Sequence, residues 1–461
     1  MSEPIDLLIV GAGPAGLAAA IEARALGASV TLLDENQAAG GQVWRGIEAN
    51  GARGKKLDAD YAAGAELAAA FRQSGADARF GATVWSIEPE ADEAPASVFF
   101  SQNGNAARLR ARRVLLATGA TERPVPIPGW TLPGVMTVGA AQILLKTAGL
   151  APQGRVWVAG QGPLLRLYAV QALAAGAQLA GILDLSPPVP LGLVMQVPAM
   201  LGALDYMVKG FSWGRKINAA GVPWVRASDI AAVAGADGKL ARISFTTGGA
   251  RRTEDAGLLL LHDGVVPNTQ ISRALGLAHD WDGTQMCWRP KLDAFGRSAI
   301  DAVFIAGDGG GILGAQGALL TGRIAALAAL ADTGRITHQE AQRRIGPLRQ
   351  RLAKHEAIRR VLDTLYPPVF PQLDDATIVC RCEEVSAGAL REAVKLGCLG
   401  LNQMKAFTRC GMGPCQGRMC APTAAAVMAE ARGVPVAAIE PYRGRFPTKP
   451  LTLGELAALD G

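Results

Sequence analysis

Histidine is scarce in this chain: His262, His279, His338 and His355 are all there are in 461 residues. None lies in a local nucleophile or metal motif. His262 opens the loop Asp263-Gly-Val-Val-Pro-Asn268, which reads as structural, and His338 and His355 fall in a charged, exposed segment. The sequence therefore offers no evident base for abstracting a proton from a substrate. Long apolar runs are also missing. The run 189–204 is interrupted by Pro190 and Pro198 and is too short to span a bilayer, so it reads as a buried or interface segment. No Arg-led apolar leader opens the chain, because residues 1–6 run straight into a strand; the expected location is the cytoplasm, with any membrane association made through a partner or an electron acceptor. There is no basic patch either. The 46 Lys+Arg against 40 Asp+Glu give a net charge of +6, but they are scattered without interleaved aromatics, which argues against nucleic-acid binding. Aromatics are only 5% of the residues while Gly numbers 56, a balance that suits closely packed α/β layers. The length suggests about three domains at roughly 150 residues each.

What is present begins at the N-terminus. An apolar strand over 5–10 leads into Gly11-Ala-Gly13-Pro14-Ala15-Gly16, a helix over 17–26, and a second strand that ends on Asp34 and Glu35. That order of strand, glycine turn, helix, strand and acid predicts a dinucleotide fold. Gly11 permits the tight turn, Gly13 lets a pyrophosphate approach the backbone, Gly16 lets helix and strand pack closely, and Asp34 accepts from a ribose hydroxyl. Free N–H groups at the helix N-terminus favour the negative charge of the pyrophosphate.

Three later stretches bear on the choice between FAD and NAD. Gly40-Gly41-Gln42, then Val114-Leu-Leu-Ala-Thr118-Gly119, then Val303-Phe-Ile-Ala-Gly307-Asp308 resemble, in this order, the flavin motifs of the two-dinucleotide-binding-domain flavoproteins. Asp308, Gln316 and Gly322 keep the spacing of the thioredoxin-reductase-like branch. The resemblance covers residues 1 to about 330. It implies an α/β fold of two Rossmann-like domains and an FAD held by Gly11, Gly13, Pro14, Ala15, Gly16, Asp34, Glu35, Gly41, Gln42, Val84, Thr118, Gly119, Gly307, Asp308 and Gln316.

A second strand and glycine turn, Gly160-Gln-Gly162-Pro-Leu-Leu165, precede a strand ending on Asp184. Leu165 stands where the third glycine belongs, and no Arg closely follows Asp184 to meet a 2′-phosphate, so this unit reads as architecture more than as a nicotinamide site. No cysteine lies between Ala117 and Leu277, where thioredoxin reductases carry a Cys-x-x-Cys pair; disulfide reduction by that route is excluded because it needs a thiolate. The isolated Cys287 reads as a small buried hydrophobe.

Beyond residue 331 the chain turns basic and polar, with Arg343, Arg344, Arg349, Arg351, Arg359 and Arg360 at helical spacings, before Pro367, Pro368 and Pro371 break it. This predicts exposed helices followed by a stiff linker. Six of the seven cysteines then crowd into residues 380–420: Cys380-Arg-Cys382, Cys398, and Cys410-Gly-Met-Gly-Pro-Cys415-Gln-Gly-Arg-Met-Cys420. Soft thiolates on Gly-rich backbone suit zinc or an iron–sulfur cluster. Cys398, in apolar surroundings, reads as packing. The arrangement resembles the bacterioferritin-associated-ferredoxin-like [2Fe–2S] domain. That resemblance implies ligation by Cys380, Cys382, Cys415 and Cys420, with Cys410 as the substitute. The domains expected are 1–150 with 280–330 for FAD, 151–279 for the second Rossmann-like unit, 331–375 as a helical connector, 376–430 as a small helical [2Fe–2S] domain, and 431–461 as an extended tail.

Taken whole, the chain resembles the α subunit of bacterial opine oxidases, of D-hydroxyproline dehydrogenase and of hydrogen cyanide synthase, and more distantly heteromeric sarcosine oxidase and archaeal proline dehydrogenase. What the resemblance implies is an electron-transfer subunit of a heteromeric dehydrogenase acting on C–N bonds. A smaller partner of the D-amino-acid-oxidase type would bind its own FAD and oxidise the substrate; FMN at a subunit interface and a third small subunit belong to the same expectation. The alternative reading is a stand-alone NADH-dependent flavin and iron–sulfur reductase.

Overall fold

The computed structural model describes residues 3–52, 57–90, 94–189, 204–369 and 372–459. Apart from its two ends, the apolar run 189–204 lies outside the described residues. The first strand, Ile5–Val10, has Leu7, Leu8 and Ile9 fully buried and sits inside a seven-stranded sheet. Val30–Asp34 and Asn105–Leu116 flank it, both parallel, with Asp77–Phe80 beyond the former. The sheet continues antiparallel through Ala96–Gln102 and Ala82–Glu88, while Val303–Ile305 pairs with Asn105–Leu116 and brings the late motif beside the early ones. Such burial on both faces suits a parallel sheet covered by helices. Helix Pro14–Ala25 packs so closely that a Cβ on Gly16 would lie 1.9 Å from the Gly11 carbonyl oxygen. On its other side, a Cβ on Gly322 of helix Gly314–Asp332 would meet the Ala15 carbonyl oxygen at 2.1 Å. Gly314–Asp332 is the one described helix long and apolar enough to cross a membrane, and most of it is buried in this core.

The second sheet is wholly parallel, in the order Trp224–Arg226, Leu179–Asp184, Val156–Gly160, Leu258–His262, Val135–Thr137. A three-stranded antiparallel sheet, Ser228–Ala234 with Leu240–Thr247 and Ala250–Asp255, covers one face through Ile230, Ile243 and Phe245. The chain crosses between the two domains over a short ladder of Ala120–Glu122 with Val265–Pro267. This moves the division expected at residue 150. Strand Val135–Thr137 and helix Val138–Ala148 lie beyond the ladder and join the second sheet, because Val135–Thr137 pairs with Leu258–His262. The return also comes before residue 279, since Ile271 and Leu275 already pack on the first domain's core.

The connector is one 28-residue helix, His338–Leu365, whose first turn is capped by Thr337. It is exposed on one side only. Ala341, Ile345, Leu348 and Leu352 pack against Leu320, Ile324, Leu327 and Ala331, so the basic residues are the outer face of a docked helix. The cysteine region follows as a strand pair, Ile378–Cys380 with Val385–Ser386, and three helices, Ala387–Lys395, Leu401–Thr408 and Ala421–Arg432, around a single core. Trp288 enters that core, and the Trp130 indole N–H donates to the Ile378 carbonyl at 2.7 Å, so both larger domains hold the small one. The tail folds back on the first domain, where the Thr448 N–H donates to the Trp85 carbonyl at 2.9 Å.

Candidate cofactor cleft and cysteine centre

A cleft of about 470 Å³ runs between the first and second domains, a volume in the range of cofactor sites. Thirteen of the expected residues line it: Gly11, Gly13, Pro14, Ala15, Asp34, Glu35, Gly41, Gln42, Val84, Thr118, Gly119, Gly307 and Asp308. Gly16 and Gln316 do not. Gly16 is used up in the helix–strand contact, and Gln316 is on the solvent side of its helix while its neighbour Ala315 faces the cleft. Gly13 and Gly41 oppose each other so narrowly that a Cβ on Gly41 would stand 2.7 Å from the Gly13 Cα, which leaves bare backbone N–H groups at the helix N-terminus.

The two acids at the end of the second strand have different work. Asp34 is buried, and its carboxylate accepts from the Ala12 N–H at 2.5 Å and from the backbone and side-chain N–H groups of Asn36 at 2.7 Å. Burial raises its pKa, opposed by those donors, so it fixes the glycine turn from within. Glu35 is exposed at the cleft and pairs with Lys449 of the tail at 2.6 Å. Asp308 likewise holds its own loop, accepting from the N–H groups of Leu313 and Gly314 at 2.9 Å.

The far end of the cleft was not legible from motifs. Lys146 is 4% exposed there, and its ammonium donates to the carbonyl oxygens of Gln42 (3.3 Å) and Val43 (2.9 Å) and to Gln142 Oε1 (2.9 Å). Burial brings its pKa down to about 8, which Asp58 opposes. Gln142 also bonds Gln171, which donates to Asp58, so a polar chain crosses the junction of the two domains. Lys146 is the only charged residue in Val138–Ala148, and that isolation was its one sequence signal.

The second crevice is engaged by the protein itself. The Asp184 carboxylate accepts from the Trp224 indole and from the Ser186 N–H, both at 2.9 Å. Gln161, inside the glycine turn, donates to Asp263 at 2.7 Å and to the connector's Pro367 carbonyl at 2.6 Å. The Arg166 guanidinium lies 5.0 Å over Trp224 and 6.0 Å over Tyr366. Leu165 is buried in the core of this domain. Cys287 is buried too, and burial pushes its thiol up to about 12, as befits an inert side chain.

The cysteines fall into two groups. The sulfurs of Cys380, Cys410 and Cys420 lie within 4.8 Å of one another, all buried. S–H donors from Cys410 and Cys420 bring the Cys380 thiol down to about 2, and hydrogen bonding with Cys380 pushes Cys410 up to about 12. Cys382 is exposed and Cys415 half-buried; the two thiols interact with each other. Gly413 makes room for the pair, because a Cβ there would stand 2.3 Å from the Cys382 Cβ. Cys410, set aside on spacing, therefore sits with Cys380 and Cys420, while Cys415 sits with Cys382. Five cysteine sulfurs with no carboxylate or imidazole among them fit a thiophilic metal centre. Cys398 is apart, its thiol on the Gly400 carbonyl at 3.5 Å. Arg418 joins the two sites: it lines the cleft, and its Nε donates to the Cys415 carbonyl at 3.0 Å.

Comparison with known proteins agrees with this organisation. Residues 5–323 match the pyridine nucleotide-disulphide oxidoreductase family, and residues 375–460 match the sarcosine oxidase A3 domain. The chain is 43% identical to an opine oxidase subunit of Rhizobium meliloti, over 100% of its own length and 88% of that protein. It is 32% identical to hydrogen cyanide synthase subunit HcnB of Pseudomonas aeruginosa, over 90% of each. Among solved structures, L-proline dehydrogenase from P. horikoshii shares the fold at a TM-score of 0.72, with 20% identity over 98% of this chain and 79% of that one. The chain belongs to the opine oxidase α-subunit family of oxidoreductases.

Proposed function

We propose that this chain is the electron-carrying subunit of a heteromeric dehydrogenase or oxidase acting on C–N bonds of opines or amino acids, with the substrate oxidised on a partner subunit. Relatives named as subunits support the heteromeric reading. When bound, FAD in the cleft supplies two-electron chemistry and a [2Fe–2S] cluster at the cysteines supplies one-electron chemistry.

The rest follows from this chain's own residues. Gly11, Gly13 and Ala15 present backbone to a pyrophosphate, and Asp34 is the acid for a ribose, lining the cleft while it also accepts from Ala12 and Asn36; Glu35 is engaged by Lys449. Lys146 holds a positive charge at the end facing the second domain. Of the thiols, Cys382 with Cys415 form one pair, and Cys380 with Cys420 are proposed as the other; Cys410 is the fifth, held by Tyr442. The observation that carries the proposal is Arg418, which places the cysteine loop directly against the cleft. FMN at a subunit interface and a partner of the D-amino-acid-oxidase type complete it.

The chain purified alone should contain FAD and about two irons, and anaerobic NADH should leave its visible absorption unchanged over seconds. Absence of both groups would defeat the proposal, and rapid stoichiometric reduction by NADH would favour a stand-alone reductase.

A further inference from the structure

The tail supplies two residues to the wall of the large cleft. Thr448 and Lys449 line it, and the Lys449 ammonium reaches Glu35 Oε2 at 2.6 Å, 414 residues away in the chain. Local sequence shapes this segment. Pro447 and Pro450 bracket the two residues; each fixes its own φ, and Pro450 disfavours a helical backbone at Lys449.

The segment is anchored on both sides. Before it, Gly444 passes so close to helix Gln270–Ala274 that a Cβ would stand 2.9 Å from the Ala274 nitrogen, and Phe446 packs on the first domain's core. At its centre Thr448 is buried. Its N–H donates to the Trp85 carbonyl at 2.9 Å, and its own carbonyl accepts from Gln270 Nε2, also at 2.9 Å. Beyond it, Thr452 and Glu455 cap helix Leu453–Ala457 reciprocally, and that helix packs against strand Asn105–Leu116.

The Glu35–Lys449 pair differs from these anchors. The Glu35 side chain is 54% exposed and that of Lys449 25%, so water reaches the pair. An ion pair of this kind contributes little to the fold and parts easily. Its effect is local instead. Asp34 and Glu35 set two carboxylates at one end of the cleft, and Lys449 offsets the second where an anionic diphosphate ligand would otherwise be repelled.

We infer that residues 447–450 are a strap that retains a dinucleotide in the cleft, with Lys449 as its clasp on Glu35. The inference rests on reading the cleft as a dinucleotide site. The anchors at Gly444, Phe446 and Thr448 hold the strap against the first domain, and the solvent-reached ion pair is the part that opens. Its strength therefore sets how fast a bound dinucleotide leaves.

The test uses the full chain loaded with FAD. Release is started by a large dilution and followed by the fluorescence of the freed flavin at several ionic strengths. Lys449→Ala and Glu35→Gln should each speed release about two- to fivefold, and the double variant should be no faster than either, because both remove the same pair. Added salt should speed release from the unsubstituted chain but not from Lys449→Ala. Thr448→Pro removes the anchoring N–H and should speed release at least about tenfold. Glu35 is exposed, so Glu35→Gln keeps the test valid if Thr448→Pro misfolds. Release rates unchanged in the folded variants, or effects that multiply in the double variant, would overturn the strap and leave the dinucleotide site standing. An unsubstituted chain that takes up no FAD would defeat that site itself, and the strap with it.

Discussion

The hydroxyl of Tyr442 donates to the sulfur of Cys410 at 3.3 Å, and its ring occupies the space that side chains at Gly411 and Gly417 would need. A Cβ on either glycine would stand 2.6 Å from a ring carbon, at φ +86° and +77°. The tail and the cysteine loop are thus one packing unit. Gly417→Ala should destabilise the small domain by roughly 2–3 kcal/mol and lower the iron recovered per chain. Gly433→Ala is the control: its φ is also positive, but its Cβ meets nothing within 4 Å, so it should cost only about 1 kcal/mol and leave iron content unchanged. Thermal melts and iron assay on the two variants decide the matter.

The two thiol groups make a separate prediction. Cys382→Ser and Cys415→Ser each break the outer pair and should abolish the visible absorption of the cluster. Cys410→Ser should leave most of it, and Cys398→Ser all of it, since that thiol only meets the Gly400 carbonyl. Iron and acid-labile sulfide per chain are the measurements. Loss with Cys410→Ser and retention with Cys415→Ser would move the ligand from one group to the other.

At the cleft, Gly13 has an ordinary helix-entry φ of −79°, and its Cβ position faces the Gly41 Cα at 3.9 Å. Gly13→Val therefore keeps the fold but projects methyl groups into the pyrophosphate cradle. Flavin affinity should drop at least about tenfold, or ~1.4 kcal/mol, with the circular dichroism spectrum unchanged. Undiminished flavin content in this variant would place the cofactor elsewhere.

The parts of this architecture that were readable from the sequence share one property: their physics is local. Gly11, Gly13 and Gly16 are required by a turn and a close contact within a few residues, and Asp34 follows on the next strand. What was misread depends on contacts made far along the chain. Strand Val135–Thr137 is three residues long, and only its pairing with Leu258–His262 assigns it to the second sheet. The connector's arginines drew attention to its exposed face, although Ala341, Ile345, Leu348 and Leu352 mark the buried one. Lys449 closes on Glu35 from a tail more than 400 residues away, which no spacing rule captures.

His279 gives a pH dependence. Burial, and then the Arg273 charge, lower its pKa to about 4 from an ordinary 6.5, while its Nδ1 stands 2.8 Å from the Leu277 carbonyl and its Nε2 2.9 Å from the Ser272 hydroxyl. The folded pKa is depressed, so below pH 6.5 the unfolded chain takes up a proton that the native one refuses until about pH 4. Stability should therefore fall by about 3 kcal/mol as the pH drops through that window. His279→Gln should flatten that part of the profile, measured as the apparent melting temperature against pH.

Under the proposed function, electrons enter this chain from a partner and not from substrate bound here. Anaerobic addition of opines or amino acids to the isolated, flavin-loaded chain, followed by stopped-flow absorption, tests it most directly. No bleaching is expected until the partner subunit is added, and rapid bleaching thereafter. Fast flavin reduction by such a substrate in the chain alone would contradict it.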